Sequence, residues 1–182
     1  MRADARRNSD RIVEVAREVF REQGYDASLD EVAKRAGVGP GTLYRHFPKR
    51  ENLLDAMMQS WMDRVDEAAE KALATEGSPR DVLLAWLTSY VELISLHKGG
   101  PAKLTSAIGD DGSPIATKCR TLTSAADRVV ARLAEAGALR PGMDAVRMCR
   151  LVGGVAVVAD QGDLPPDAVR PLLEVLADGI LS

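Results

Sequence analysis

Four side chains that can bind DNA lie within one short stretch of the chain. Thr42, Tyr44, Arg45 and His46 supply hydroxyl, guanidinium and imidazole groups over five positions. Hydroxyl and imidazole groups suit phosphate oxygens, whereas a guanidinium can make a bidentate contact with the edge of a guanine. A short polar helix that follows another helix after a tight turn can enter the major groove. The stretch therefore predicts sequence-specific DNA binding.

Two short helices separated by a glycine turn must position these groups. Ser28 and Glu31 have the spacing of a capping box, which predicts the start of a helix that Gly37 ends. Gly39 and Pro40 fit the N-cap and first turn of the second helix, which carries the polar cluster. The pair has the form of a helix-turn-helix motif.

The other segments also show helical periodicity, and none alternates like a strand. Further helices are expected over about 9–23, 50–75, 80–97, 102–108, 115–136, 143–160 and 166–181. We therefore predict an all-α fold, in which an N-terminal three-helix helix-turn-helix head is joined by a long helix to a C-terminal helical bundle. The predicted domains are residues 1–50 and 51–182. The glycine-rich segment 98–114 is expected to contain the moving part.

Charge is distributed unevenly between the two predicted domains. The chain has a net charge of −3, but residues 1–50 contain 11 Lys and Arg against 8 Asp and Glu. The head is thus positive and the remainder negative, which suits a protein that presents one end to phosphate.

Composition argues against several other classes of protein. Hydrophobic residues make up 46% of the chain and charged residues 28%, as in ordinary globular proteins. We expect no signal peptide and no membrane span, because the longest apolar stretch, residues 151–159, is too short to cross a bilayer. Cys119 and Cys149 match no metal or redox spacing and are expected to be buried thiols in a reducing cytoplasm. We expect no metal and no cofactor.

The stretch Gly24–Leu54 closely resembles the N-terminal region of TetR-family (tetracycline-repressor-like) transcriptional regulators. The resemblance is carried by Gly24-Tyr25, by the residues Ser28–Ala33 and by the residues Ala36–Leu54. One departure is Gly39, because many members of the family carry Ser there. A cap hydroxyl and a possible phosphate contact are thus missing, although Gly is an acceptable N-cap residue.

This resemblance implies a DNA-binding role for eight residues. It implies contacts with the DNA backbone from Thr42, Tyr44 and His46. It implies close approach to the bases by Pro40, Gly41 and Arg45. It also implies that phosphate contacts where the fourth helix begins come from Lys49 and Arg50.

The resemblance further implies a ligand-sensing body and a dimer closed by the last two long helices. Met and aromatic residues can line an adaptable apolar effector pocket, and the candidates are Met58, Trp61, Met62, Trp86, Tyr90, Ile94, Leu122 and Met148. The same residues could instead form plain core. The candidate dimer residues are Val152, Val155, Leu172, Leu173, Leu176 and Ile180. Both helices could instead pack within one subunit.

Together these features predict a ligand-responsive transcriptional regulator rather than an enzyme. We expect a homodimer that binds a palindromic operator in double-stranded DNA, acts as a repressor, and is released by a small, mostly apolar effector. Two alternatives are an enzyme with a regulatory head, which would need a catalytic constellation that the sequence does not show, and a helical protein-interaction adaptor.

Overall fold

The structure is a computed structural model that describes residues 2–23, 27–113 and 115–182, with side chains from residue 7 onward. Over these residues the chain forms nine helices: α1 (Arg2–Gln23), α2 (Leu29–Ala36), α3 (Pro40–His46), α4 (Arg50–Leu73), α5 (Pro79–Ile94), α6 (Gly100–Ala107), α7 (Ala116–Glu135), α8 (Ala145–Gln161) and α9 (Pro166–Ile180). The all-α prediction is confirmed. Gly24 and Tyr25, which belong to the resemblance, and Pro114 lie outside the described residues.

The first of two compact units, residues 1–63, has its own apolar core. That core draws on α1, α2, α3 and the start of α4, through Ile12, Val13, Ala16, Val19, Phe20, Val32, Ala33, Leu43, Phe47 and Leu53. Arg35 links α2 to α1, because its Nη1 atom pairs with Glu22 (2.5 Å) while its Nε atom pairs with Glu31 (2.9 Å). Packing against this core fixes how α3 is presented.

The second unit, residues 64–182, is organised around α5. Seven residues of α5 are buried: Val82, Leu83, Trp86, Leu87, Tyr90, Leu93 and Ile94. This helix contacts α6, α7, α8 and α9, as expected for a helix that is apolar on nearly all sides. The boundary between the units falls inside α4, between Asp63 and Arg64. The predicted functional division at residue 50 stays a prediction.

Helix ends differ from the predicted ones where periodicity carries little information. The first helix begins at Arg2, whereas periodicity predicted a start near residue 9. The prediction missed residues 2–8 because they are mostly polar and lack an apolar stripe. The fifth helix ends at Ile94 rather than near residue 97. Ser95 caps this end, and its N–H donates to the Val91 carbonyl (3.0 Å). The last helix begins at Pro166, so Pro171 lies inside it.

Three further observations concern the cysteines, the described helices and possible metal ligands. Cys119 and Cys149 are free and buried, as predicted. Burial raises the pKa of both thiols, that of Cys149 to about 12, so both remain protonated at neutral pH. No described helix is long and apolar enough to span a membrane. No group of His, Cys or carboxylate side chains among the described residues could hold a metal ion.

Candidate nucleic-acid interface and ligand core

The turn between α2 and α3 is formed by a helix cap and a left-handed glycine. Ser28 Oγ accepts a hydrogen bond from the Asp30 N–H (3.1 Å), so Ser28 caps α2 as predicted. Glu31, predicted to complete a capping box, accepts from Arg35 Nε (2.9 Å) instead. Gly37 ends α2 with φ of +65°, a conformation that favours glycine. Only residues 37–39 therefore separate α2 from α3.

The two faces of α3 have different roles. Leu43 is 0% exposed and Phe47, which caps the helix, is 5% exposed, so both pack into the core of the first unit. Tyr44 is 46% exposed, an unusual surface position for a large aromatic ring. Arg45 is also exposed. Because the core holds one face of α3, the opposite face is left outward in a fixed orientation.

The N-terminus of α3 has no side chains at Gly39 and Gly41. Neither glycine has a positive φ, and a Cβ atom at either position would meet nothing within 4 Å. The packing of the chain itself therefore does not require glycine at these positions. Bare backbone at a helix N-terminus can approach phosphate or base edges closely, and its N–H groups attract anions.

The contacts that Arg45 makes within α3 are long. Arg45 Nε lies 3.4 Å from the Gly41 carbonyl oxygen, and its Nη2 atom lies 3.5 Å from Thr42 Oγ1. Both distances are at the upper limit for hydrogen bonds, so the guanidinium can exchange them for a better acceptor. His46 is half-buried beside Phe47, and Lys49 is exposed just before α4.

Arg50 is placed differently from the other predicted DNA-binding residues. Its Nη2 atom donates to the Ala27 carbonyl oxygen (2.6 Å), and its guanidinium carbon lies 5.4 Å from the centre of the Phe20 ring. The side chain thus ties the start of α4 to α1 and to the chain before α2. This is a different use from the predicted phosphate contact.

The eight predicted effector residues are distributed over both units. Met58, Trp61 and Met62 lie on α4 in the first unit, where Trp61 is buried and the two methionines are half-buried. The other five are buried in the second unit: Trp86, Tyr90, Ile94, Leu122 and Met148. The rings of Trp86 and Tyr90 pack edge to face, with centroids 5.9 Å apart. These five residues form packed core, and their effector role stays a prediction.

An open groove of about 740 Å³ lies at the ends of α5 and α8 and the start of α9. Its apolar floor includes Val91, Val169 and Leu173, and none of the predicted effector residues lines it. The Lys98 amine at the rim donates to the Asp160 carbonyl and pairs with Asp163. Sequence reasoning missed this groove, because its walls come from helix ends far apart in the chain.

The predicted dimer residues separate into two groups. Val152, Leu173 and Ile180 are 0%, 3% and 0% exposed, so they pack inside the second unit. Val155 and Leu176 are half-buried, and Leu172 is exposed. The largest exposed apolar side chains of α8 and α9 are Leu151, Val158, Leu172 and Val175. Both helices are apolar on two faces, and the stripes chosen from periodicity mix these faces.

The chain is similar to known proteins over both units. Residues 12–57 match the family model for bacterial regulatory proteins of the tetR family. Residues 78–182, more than half of the chain, match the model for the C-terminal domain of SbtR-like transcriptional regulators.

Two solved structures are similar to almost the whole chain, and one curated relative is similar to about a third of it. The TetR transcriptional regulator SCO0520 from Streptomyces coelicolor is 31% identical with a TM-score of 0.71, covering 95% of this chain and 98% of that one. A TetR transcription regulatory protein from Mycobacterium vanbaalenii is 28% identical with a TM-score of 0.70, covering 100% and 99%. An HTH-type transcriptional regulator of Staphylococcus aureus strain USA300 is 42% identical over 64 residues, which is 35% of each protein. The match thus spans about a third of the curated relative.

Proposed function

Because the chain belongs to the TetR family of bacterial regulatory proteins, we propose that it binds a palindromic operator as a homodimer and represses transcription until an effector releases it. The observation that carries the proposal is the outward face of α3. There Tyr44 and Arg45 are exposed beside two glycines that the packing of the chain does not require. The proposal places the protein in the cytoplasm, together with the operator DNA that it binds.

In the proposed complex, α3 lies in the major groove. Arg45 gives up its two long contacts and makes a bidentate contact with guanine, while Pro40 and Gly41 approach the bases. Thr42, Tyr44, His46 and Lys49 contact the DNA backbone. Arg50, which the resemblance also assigns to phosphate, is given a supporting role here because its guanidinium is bound to the Ala27 carbonyl.

Dimerisation through α8 and α9 supplies the second head. Leu151, Val158, Leu172 and Val175 expose 46%, 55%, 39% and 73% of their surface. Four large aliphatic side chains exposed on two consecutive helices favour a partner of the same kind, since a two-fold interface pairs one patch with itself. A two-fold dimer presents two copies of α3, which suits a palindrome with half-sites one helical turn apart.

Release by a small, mostly apolar effector requires the effector to prefer one conformation of the dimer. The second unit provides an apolar interior formed by Trp86, Tyr90, Ile94, Leu122 and Met148. An effector bound there weakens operator binding only by its difference in affinity between the two conformations, typically about 1–3 kcal/mol.

Selection of bound sequences from random DNA tests the DNA-binding part of this proposal. We expect the wild-type chain to enrich a palindrome, with binding that weakens steeply as salt rises. Arg45→Ala should relax the preference at one base position in each half-site, at a cost of about 1–3 kcal/mol. Arg120→Ala, which removes the same charge from an exposed site on α7, is the matched control and should leave the palindrome unchanged. An Arg45→Ala protein that ranks all sequences as the wild type does would refute the proposed base contact.

A further inference from the structure

Three polar atoms in the second unit are buried without a hydrogen-bond partner among the described residues. They are Trp86 Nε1, Tyr90 OH and Thr105 Oγ1. Leaving a buried donor or acceptor unpaired costs about 1–3 kcal/mol, so folded proteins rarely leave several in one core. Such a group of atoms indicates that something else completes their hydrogen bonds.

The residues that carry the three atoms are linked through α5 and one face of α8. Trp86 and Tyr90 are one turn apart on α5, with ring centroids 5.9 Å apart. The Tyr90 hydroxyl lies beside the Cys149 thiol of α8, and each group perturbs the pKa of the other. Thr105 of α6 packs against Gly153, where any Cβ atom would clash with the threonine side chain. Cys149 and Gly153 are one turn apart, so Tyr90 and Thr105 meet the same face of α8.

The chemistry of these groups limits what can bind them. An indole N–H only donates a hydrogen bond, whereas a hydroxyl donates or accepts. The neighbouring Cys149 thiol is a weak hydrogen-bond partner. It forms no hydrogen bond of normal geometry with the Tyr90 hydroxyl. Burial raises the pKa of Tyr90 well above its usual value, so this hydroxyl stays neutral and can donate.

The surroundings favour an uncharged ligand. The buried residues of the described chain include no charged side chain that could pair with an ionic group. Burying an unpaired charge is far more costly than burying a neutral carbonyl that accepts hydrogen bonds. A carbonyl oxygen has two lone pairs, so it can accept from the indole and from a hydroxyl together.

We propose that Trp86, Tyr90 and Thr105 are the polar contacts of the effector site, and that the effector is a small neutral molecule with an apolar body and a carbonyl group. Its carbonyl oxygen accepts from Trp86 Nε1 and Tyr90 OH, and Thr105 Oγ1 bonds to a second polar atom where the ligand has one. The inference rests on the proposed function in one respect, the existence of an effector.

Access requires side chains to part, and α6, which packs on α8 and carries Thr105, is the short helix whose displacement would open the site. This helix has eight residues, and glycines in left-handed conformation lie at both ends, Gly99 with φ of +76° and Gly109 with φ of +85°. Displacement of α6 carries Thr105 away from Gly153 and opens the core beside Tyr90. Met148, which is fully buried on α8, has a flexible side chain that can adapt to a ligand.

The first experiment measures the melting temperature of hydroxyl-deletion variants of the full chain by calorimetry. Tyr90→Phe and Thr105→Val each remove an unpaired hydroxyl, so each should raise the melting temperature by at least about 2 °C. Thr123→Val is the matched control, because its hydroxyl donates to the Cys119 carbonyl (3.0 Å) and the Arg120 carbonyl (3.1 Å). This variant should not raise the melting temperature. A lower melting temperature for Tyr90→Phe would overturn the proposal, since it would mean that the hydroxyl is already satisfied.

The second experiment compares acetophenone with α-methylstyrene, which has the same shape but carries a C=CH₂ group in place of the carbonyl. Calorimetry of the wild-type chain should show a larger stabilisation by the ketone, corresponding to about tenfold tighter binding. Tyr90→Phe should reduce that advantage, and Thr123→Val should keep it. Equal stabilisation by the two probes, no stabilisation by either, or an advantage that survives in Tyr90→Phe would each contradict the proposal.

These measurements use no DNA, so their outcome is separate from that of the DNA selection. A chain that binds the ketone but enriches no DNA sequence would refute the proposed regulator and leave the ligand site intact. A chain that enriches a palindrome but fails both calorimetric experiments would refute the ligand site alone.

Discussion

Replacing Arg50 distinguishes a structural role from the phosphate contact that the sequence resemblance implies. In the structure its Nη2 atom donates to the Ala27 carbonyl oxygen (2.6 Å), and its guanidinium stacks over Phe20 (5.4 Å). Arg50→Ala removes both interactions and leaves the Ala27 carbonyl without this donor. The variant should therefore destabilise the head rather than change how it reads DNA.

The size of the effect follows from the two interactions. A hydrogen bond from a charged donor contributes about 1.5–3 kcal/mol, and a cation–π contact at a partly exposed site contributes about 0.5–1 kcal/mol. We expect Arg50→Ala to lower the free energy of unfolding by about 2–4 kcal/mol. For a unit as small as the head, this loss corresponds to a melting temperature lower by roughly 8 °C or more. Arg50→Lys should restore part of it, because lysine can donate but cannot stack as a planar group.

The assay combines thermal denaturation with the salt dependence of DNA binding, measured at a temperature where every variant is folded. Lys49→Ala is the matched comparison, since it removes the neighbouring positive charge from an exposed position. Losing one phosphate contact reduces the slope of log affinity against log salt by about 1. We expect that reduction for Lys49→Ala and not for Arg50→Ala. If Arg50→Ala kept its melting temperature and flattened the slope by the same amount, the structural role would be wrong.

Two further outcomes are expected from the second unit. Val175→Asp places a charge on an exposed apolar position of α9 and should convert the dimer to monomers in sedimentation equilibrium, with operator binding lost while the helical content remains. Ser78→Ala removes the N-cap of α5 and should lower the free energy of unfolding by about 1 kcal/mol. Hydrogen bonds from Ser78 lower the pKa of Asp81, so this carboxylate stabilises the fold above its unfolded pKa of about 4. That contribution is lost as pH falls through the lower folded pKa, and acid titration of the Ser78→Ala variant should show a smaller loss.

Controls for these two variants come from the same helices. Arg170→Glu alters an exposed charge on α9 and should leave the dimer intact, because that side chain pairs with Glu174 one turn away on the same helix. A Val175→Asp protein that remains a dimer would place the interface elsewhere. Thr88→Ala changes an exposed hydroxyl of α5 without touching its cap, and should not reproduce the effect of Ser78→Ala.

Helical periodicity predicted the arrangement of α3 because one residue in the core determines where its neighbours point. Once Leu43 and Phe47, four residues apart, face the core, Tyr44 and Arg45 must lie on the opposite side of the helix. The Ser28 cap and the Gly37 turn were predictable for a similar reason, since both depend on residues within one helical turn.

Features that depend on distant parts of the chain were not predictable from local pattern. Arg50 bonds to a backbone carbonyl 23 positions away, and nothing in its own neighbourhood indicates this. The sequence around Thr105 indicates only a short helix. That its hydroxyl is buried without a partner follows from the packing of α6 on α8, which local pattern does not predict. Val152 and Leu173 were placed in the dimer stripe although they are buried in their own subunit. Periodicity identifies an apolar face but not which of two apolar faces meets a partner.

The central claim, that two copies of α3 bind one DNA duplex, is tested most directly by hydroxyl-radical footprinting on the sequence recovered by selection. The account predicts two protected patches related by two-fold symmetry, with centres about 10 base pairs or a multiple of that spacing apart. It predicts that Val175→Asp protects neither patch at the same protein concentration. A single unsymmetrical patch, or protection by Val175→Asp equal to that of the wild type, would contradict it.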